Sequence, residues 1–377
     1  MKSLAQHWET IQGSLFPTLE EHLPPLTEKQ QQLVSILEFV RIEQFIQSYI
    51  PGFRGRPSVN RTAIARAFVA KAVYNMPTTT ILIERLHSDI SMRRICGWET
   101  RSAIPSESVF SRAFAEFAET GLADRVHASL IKQVYKDEIV GHAVTDATSI
   151  EAREKPVKQE KIVEIVKTKK VRAKKGEPTV KDMTRIERQF RGDMSLKEMI
   201  EELPKVCDAV AKKNSKGNLC WWVGYKLHFT TDDHGVPLAA ITSSASLHDS
   251  QVAIPLAQLT AQRVINFYDL MDGGYYSDRI IEHSKSLGHV PIIDQPVKGV
   301  DKEEKALENL AYATLNWRPP HLVRYDSRTT VERAFSRLKD EFGATFVRVR
   351  GGLKVTAHLM FGVLALAADQ LLKIVSS

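Results

Sequence analysis

The run YDSRTTVERAFSRLKDEFG, residues 325–343, constrains the fold more than any other stretch of this chain. Val331, Phe335, Leu338 and Phe342 recur at intervals of four, three and four, the period of a helix that buries one face. Tyr325, Arg328, Glu332 and Lys339 follow the spacing Y-x2-R-x3-E-x6-K. At about 100° per residue they fall in one sector roughly 60° wide, beside the apolar stripe. The spacing predicts a helix with one face in the core and the adjacent face presenting a carboxylate flanked by two cations and a phenol. A lone glutamate among cations suits a site that holds metal ions and binds phosphate. Taken alone, the same pattern also describes a solvated helix face laced with charge.

Two upstream aspartates favour the site. GHAVTDATSI reads as a short apolar strand that ends at Asp146. VINFYDLMDGGYYS reads as a β-rich run ending at Asp272, followed by Gly273-Gly274 and a helix start near Ser277. Asp-Gly-Gly is also an ordinary turn signal, and Asp269 and Asp249 compete as the second carboxylate. Asp272 is preferred because it stands at the strand end, before glycines that allow close backbone approach. Asp146, Asp272 and Glu332 are hard oxygen ligands, the set that Mg²⁺ or Mn²⁺ prefers.

With these residues in place, the chain resembles bacterial insertion-sequence transposases with a DDE catalytic domain. The branch is that of insertion-sequence families four and five, whose glutamate motif is Y-R-E-K. The matching pieces are VTDATSIEA around Asp146, GYKLHFTTDDHGVPLAAITSSASLHDS from Gly224, LMDGGYYSD around Asp272 and the Tyr325-to-Lys339 motif. Toward the N-terminus they are GRPSVNRTAIARAFVAKAVYNMPTTTILIERLHSD, RRICG and PSESVFSRAFAEF. The resemblance implies an α/β fold with an RNase H-like mixed sheet behind an all-helical N-terminal domain. It implies cleavage at insertion-sequence ends and strand transfer, with two Mg²⁺ or Mn²⁺ ions per site. Asp146 would bridge both ions, Asp272 would hold one and Glu332 the other. Water would free a 3′-OH that then attacks target DNA. Tyr325, Arg328 and Lys339 would hold phosphates near the cut. The implied partners are terminal inverted repeats, target DNA and a second subunit on synapsis. In some relatives a long β insertion separates the second aspartate from the glutamate; here only 59 residues intervene, which leaves little room for one.

Composition agrees and says less. Lysine plus arginine outnumber aspartate plus glutamate by 52 to 45, which favours polyanionic partners. Cys96, Cys207 and Cys220 are scattered without a C-x2-C pair, so neither a zinc site nor a disulfide framework is indicated. The first residues, MKSLAQHWETIQGSLF, have no apolar signal core. The most apolar run, Leu359 to Ala368, is too short to span a bilayer and reads as a buried C-terminal helix. A soluble, cytoplasmic and nucleoid-associated protein is expected, with no membrane partner.

The positive charge is concentrated. Residues 153–191 hold fourteen Lys/Arg against six Asp/Glu, a net +8 in a chain whose total is +7. Such a run is either a solvated loop or an arm that tracks a phosphate backbone. Lys169, Lys170, Arg172, Lys174 and Lys175 are its candidate DNA contacts, and they lie in a basic insert placed at about 153–219.

The remaining organisation is a helical domain over 1–130 and a catalytic domain over 131–377. Thr27, Asn60 and Ser106 are expected to cap helices, and Met76-Pro77 to break one. The helical part is either a helix-turn-helix DNA reader or a bundle that braces the catalytic part. CWWVGYKLHFTTD and VPLAAITSSAS read as strands joined by a turn at Asp233-His234-Gly235, and HVPIIDQPV as another strand. A charged connection is expected over 298–320. Lys226 and His228 share one strand face and are candidate DNA contacts, or a half-exposed pair. Asp249 is a possible fourth acid, or a helix cap. Trp221 and Trp222 are candidates for base stacking, with burial of at least one expected. A silent DNA-binding regulator and a nuclease that never joins are the rival functions.

Overall fold

The computed structural model describes residues 25–46, 60–157, 183–213, 217–295 and 301–376. Lys169, Lys170, Arg172, Lys174 and Lys175 lie outside these residues.

The first third is helical, and four of its helices begin where short polar side chains satisfy their free amides. Helix α1 (Glu28–Val40) has a capping box, with Thr27 and Gln30 each bonding the other's backbone N–H. Asn60 caps α2 (Arg61–Val73) and Thr78 caps α3 (Thr79–Ser88). Asp89 caps α4 (Ile90–Cys96). Ser106 stands at the start of α5 (Glu107–Glu119), but its hydroxyl pairs with Ser108 and caps no amide. Helix α6 (Leu122–Val134) leads into the sheet.

The sheet is built on β1 (Ile139–Ala152). On one side β1 pairs antiparallel with β3 (Leu219–Thr231). The first half of β3 pairs with β2 (Asp208–Lys213) and its second half with β4 (Pro237–Ser244), both antiparallel. Helix α9 (Ser250–Ala261) follows β4. On the other side, β5 (Ile265–Met271) runs parallel to β1, and β6 (Val290–Ile293) parallel to β5. Helix α10 (Asp278–Ser286) connects β5 to β6. Antiparallel pairing among β1 to β4, continued beyond β1 by the parallel β5 and β6, makes a mixed RNase H-like sheet.

Three regions differ from the sequence reading. Within 153–219 the chain forms α7 (Arg185–Phe190), α8 (Leu196–Glu201) and β2. Both short helices carry capping boxes, and Ile186, Phe190 and Met194 pack on a core beneath α9 and α10. The charged connection contains α11 (Asp301–Leu315). It leads to α12 (Pro320–Tyr325), a 3₁₀ turn (Asp326–Arg328) and α13 (Thr329–Glu341). Tyr325 and Arg328 therefore precede the glutamate helix, although the backbone stays right-handed at both (φ −61° and −58°).

After β7 (Phe346–Val347), which pairs with the end of β1, comes α14 (Gly352–Ser376). Its apolar run extends beyond Leu359–Ala368: within the 24 residues Gly352–Val375, 18 consecutive residues reach a mean hydropathy of 1.6, enough in length and composition to cross a membrane. Of those 18 residues, 78% are buried inside the protein. It packs against α1, α2, α5, α6, α13 and β4. Phe361 of α14 lies 5.8 Å from Phe68 of α2, which in turn meets Phe110, Phe114 and Phe117 of α5. One continuous core thus joins the N-terminal helices, the sheet and α13.

Candidate active site

The site forms where β1 loses its parallel neighbour. The last aligned pair of β1 and β5 is Thr145 with Met271, so Asp146 and Asp272 follow side by side. Asp146 is not at a strand end, as the sequence suggested. It sits in the middle of a 14-residue strand. Asp, Ala and Ser are poor strand formers, but β3 continues to pair with β1 as far as Glu151 and holds these residues extended.

Asp272 stands at the end of β5 and accepts the Gly274 N–H at 2.9 Å, which tightens the turn. A side chain at Gly273 would press on the carbonyl of Asp294 at 3.2 Å, so the glycine permits that approach. Asp269 is turned elsewhere: it is buried and bonded by Asn266, Ser284 and His289.

Val331, Phe335 and Leu338 bury the inner face of α13, with Phe335 stacked on Phe229 of β3 at 3.9 Å. That packing sets the height of Glu332 over the sheet. The link between the three acids is Arg328. Its Nη2 donates to Glu332 Oε1 at 2.8 Å, while Nη1 stands 3.7 Å from Asp272 Oδ2 and 4.0 Å from Asp146 Oδ2. The guanidinium also lies over the Tyr325 ring, 5.8 Å from its centroid. Lys339, two turns along α13, is half-buried and feels the Glu151 carboxylate near the far end of β1.

The electrostatics are those of crowded acids. Burial pushes the Asp146 carboxyl up to about 6, and Asp272 and Asp249 add to the effect. The Ala147 N–H, 2.8 Å away, and Arg328 pull the other way. Tyr275, absent from the sequence-derived set, is wholly buried within the field of Asp249, Asp146 and Asp272, and its hydroxyl has no partner. Its only sequence signal is its place after Gly273-Gly274.

Other candidates are placed differently. His228 is fully buried against Ser243 Oγ at 2.8 Å and does not face DNA. Burial pushes its imidazole down to about 4. Lys226 is 16% exposed and donates to the Leu247 carbonyl (2.8 Å) and Asp249 Oδ1 (2.9 Å). Asp249 does not cap α9; its carboxylate is taken by Lys226, and His248 Nδ1 faces the Ser250 N–H instead. Trp221 is 70% exposed on β3, whereas Trp222 is half-buried.

Hard oxygen donors gathered around one guanidinium suit a divalent cation. So do a carboxyl raised by burial and, less, by its acidic neighbours, and an orphaned buried hydroxyl beside the acids. Among the described residues no three Asp, Glu, His or Cys side chains close on one point at metal-ligand distance, and Glu332 is held by Arg328.

The family model described as the transposase DDE domain matches residues 141–368, from Gly141 of β1 into α14. The chain belongs to the DDE transposases. A second family model, the transposase domain DUF772, matches residues 17–116 of this transposase, across α1 to α5. No curated protein and no solved structure matches the chain. Use of divalent metal ions and binding to DNA are general in the DDE transposase family.

Proposed function

We propose that this transposase cuts DNA at the ends of an insertion sequence and joins the freed 3′-hydroxyl to target DNA, with Asp146, Asp272 and Glu332 as its catalytic carboxylates. The observation that carries this is the convergence of all three on Arg328, from two neighbouring strands and the helix above them. The same residues would hold Mg²⁺ or Mn²⁺, two ions in our reading, and such ions activate the attacking oxygen and stabilise the leaving one. Water displaces the 3′-oxygen from the scissile phosphorus, and the resulting 3′-OH then displaces a 3′-oxygen of the target strand. Neither step needs a covalent enzyme–DNA bond.

The other motif residues orient phosphates. Arg328 offers a planar fork that matches two phosphate oxygens, and Lys339 a point charge further along α13. Tyr325 supports the guanidinium through its ring face. The helices up to about residue 130 act as the DNA-engaging and bracing part. Their packing on α14 supports the bracing role.

The test is conservative substitution at each acid. Asp146→Asn, Asp272→Asn and Glu332→Gln each abolish strand cleavage, measured on end-containing DNA, and leave DNA binding largely intact. Full cleavage by any one of these variants, folded as wild type, removes that residue from the site.

A further inference from the structure

We propose that Arg328 is a built-in counter-ion of the catalytic acids, one that competes with divalent cations for them and is drawn away by a DNA phosphate, so that metal and DNA enter the site cooperatively. This rests on the reading of Asp146, Asp272 and Glu332 as metal-holding carboxylates.

Three carboxylates in a partly buried space repel one another, and the structure meets that repulsion with one side chain. Arg328 reaches Glu332 with one terminal nitrogen and approaches Asp272 and Asp146 with the other. Two other nearby cations are committed elsewhere. Lys226 is tied to Leu247 and Asp249, and Lys339 is half-buried within the field of Glu151. Burial works against the charge of Arg328, but Asp146, Tyr325, Glu332 and Asp272 together raise its pKa.

A guanidinium does not deprotonate in this range, so a change of pH does not dismiss it. A second metal-like charge among the same acids meets direct repulsion from it. What removes it is a better anion. A phosphodiester offers two oxygens at the spacing of the arginine fork, where the three acids offer one short contact and two long ones. Only the side chain has to swing, because Arg328 lies in the 3₁₀ turn ahead of α13 while the inner face of that helix is packed. By reciprocity, whatever factor DNA adds to metal affinity, metal adds to DNA affinity.

The test is Mn²⁺ binding to the full-length protein, followed by loss of the free Mn²⁺ signal in electron paramagnetic resonance. It is run with and without a duplex that ends in a 3′-hydroxyl. Without DNA, Arg328→Gln binds Mn²⁺ about tenfold more tightly than wild type and Arg328→Lys falls between them. Lys339→Gln removes a cation from the same motif without touching the acids, and changes the affinity less than about threefold. In wild type the duplex tightens Mn²⁺ binding, and in Arg328→Gln that gain disappears. Unchanged or weaker Mn²⁺ binding by Arg328→Gln overturns the proposal, as does an equal effect of Lys339→Gln. Asp146→Asn separates this from a failure of the underlying reading. If it weakens Mn²⁺ binding in wild type and Arg328→Gln alike, the acids hold metal whatever Arg328 does. If it changes neither, the metal site lies elsewhere and both readings fall.

Discussion

Lys71 of α2 is 5% exposed, and its ammonium meets little but His358 Nδ1 of α14 at 3.4 Å. His358 donates from Nε2 to the Gly343 carbonyl at 2.9 Å, which leaves Nδ1 free to accept. Desolvation lowers Lys71 from 10.5 to about 8 and, with Lys71 adding repulsion, His358 from 6.5 to about 3. Both groups are charged more readily in the unfolded chain than in the fold. The lysine therefore destabilises the protein at neutral pH, by about 3 kcal/mol before its contact with His358 is counted. Lys71→Met should raise unfolding free energy by about 2 kcal/mol at pH 7. The gain should shrink as pH rises from 8 through 10.5, where the unfolded lysine also loses its proton. Urea unfolding at pH 7 and pH 10 measures both values, and an equal gain at the two would show that Lys71 is not desolvated. His358 works at the acid end: its contribution to stability is lost as pH falls below 6.5 and the unfolded imidazole takes up a proton first.

Among the secondary elements, the contact between α13 and α14 decides where Glu332 stands. Gly362 of α14 lets the helices close: a Cβ there would lie 2.8 Å from the Phe342 carbonyl and 3.2 Å from Leu338 Cδ1. Gly362→Val should force α13 outward, cost about 2–3 kcal/mol in urea unfolding, and reduce cleavage more than DNA binding. Wild-type stability in that variant would mean the two helices are not packed so closely. The sequence made some of these elements readable and hid others. Helix α1 could be read to the residue and α2 to within one residue at each end, because capping is chemistry among near neighbours. The inner face of α13 followed from its period. The full length of β1 was hidden, since what keeps Asp146 extended is β3, some eighty residues downstream. The burial of His228 against Ser243 of β4 and the pairing of Asp249 with Lys226 were hidden for the same reason, as both depend on segments brought to β3 by the fold. In 183–213 the density of charge masked the capping boxes of α7 and α8, and their few apolar residues gain a core only by packing on α9 and α10.

For the molecule as a whole, the proposed mechanism has one set of three acids serve one strand at a time, and on it joining two element ends would call for at least two subunits. Mass photometry with end DNA should show a complex that holds two DNA molecules. Efficient joining by a complex that never exceeds one protein and one DNA would contradict this. The charge excess makes a separate prediction, in a segment outside the described residues. Replacing Lys167, Lys169, Lys170, Arg172, Lys174 and Lys175 with glutamine should weaken binding to all DNA sequences alike and flatten the salt dependence, whose slope is about 0.9 per neutralised phosphate. An unchanged slope would mark the run as a solvated loop. The single core also bears on how copies of such a gene decay. Helix α14 is the last element among the described residues, yet α1, α2, α5 and α6, some two hundred residues or more upstream, lean on it, as does the glutamate helix. A frameshift upstream of Gly352 that erases residues 352–376 should leave no surplus DNA-binding fragment to interfere with intact copies, because the front of the protein loses its footing together with the glutamate helix.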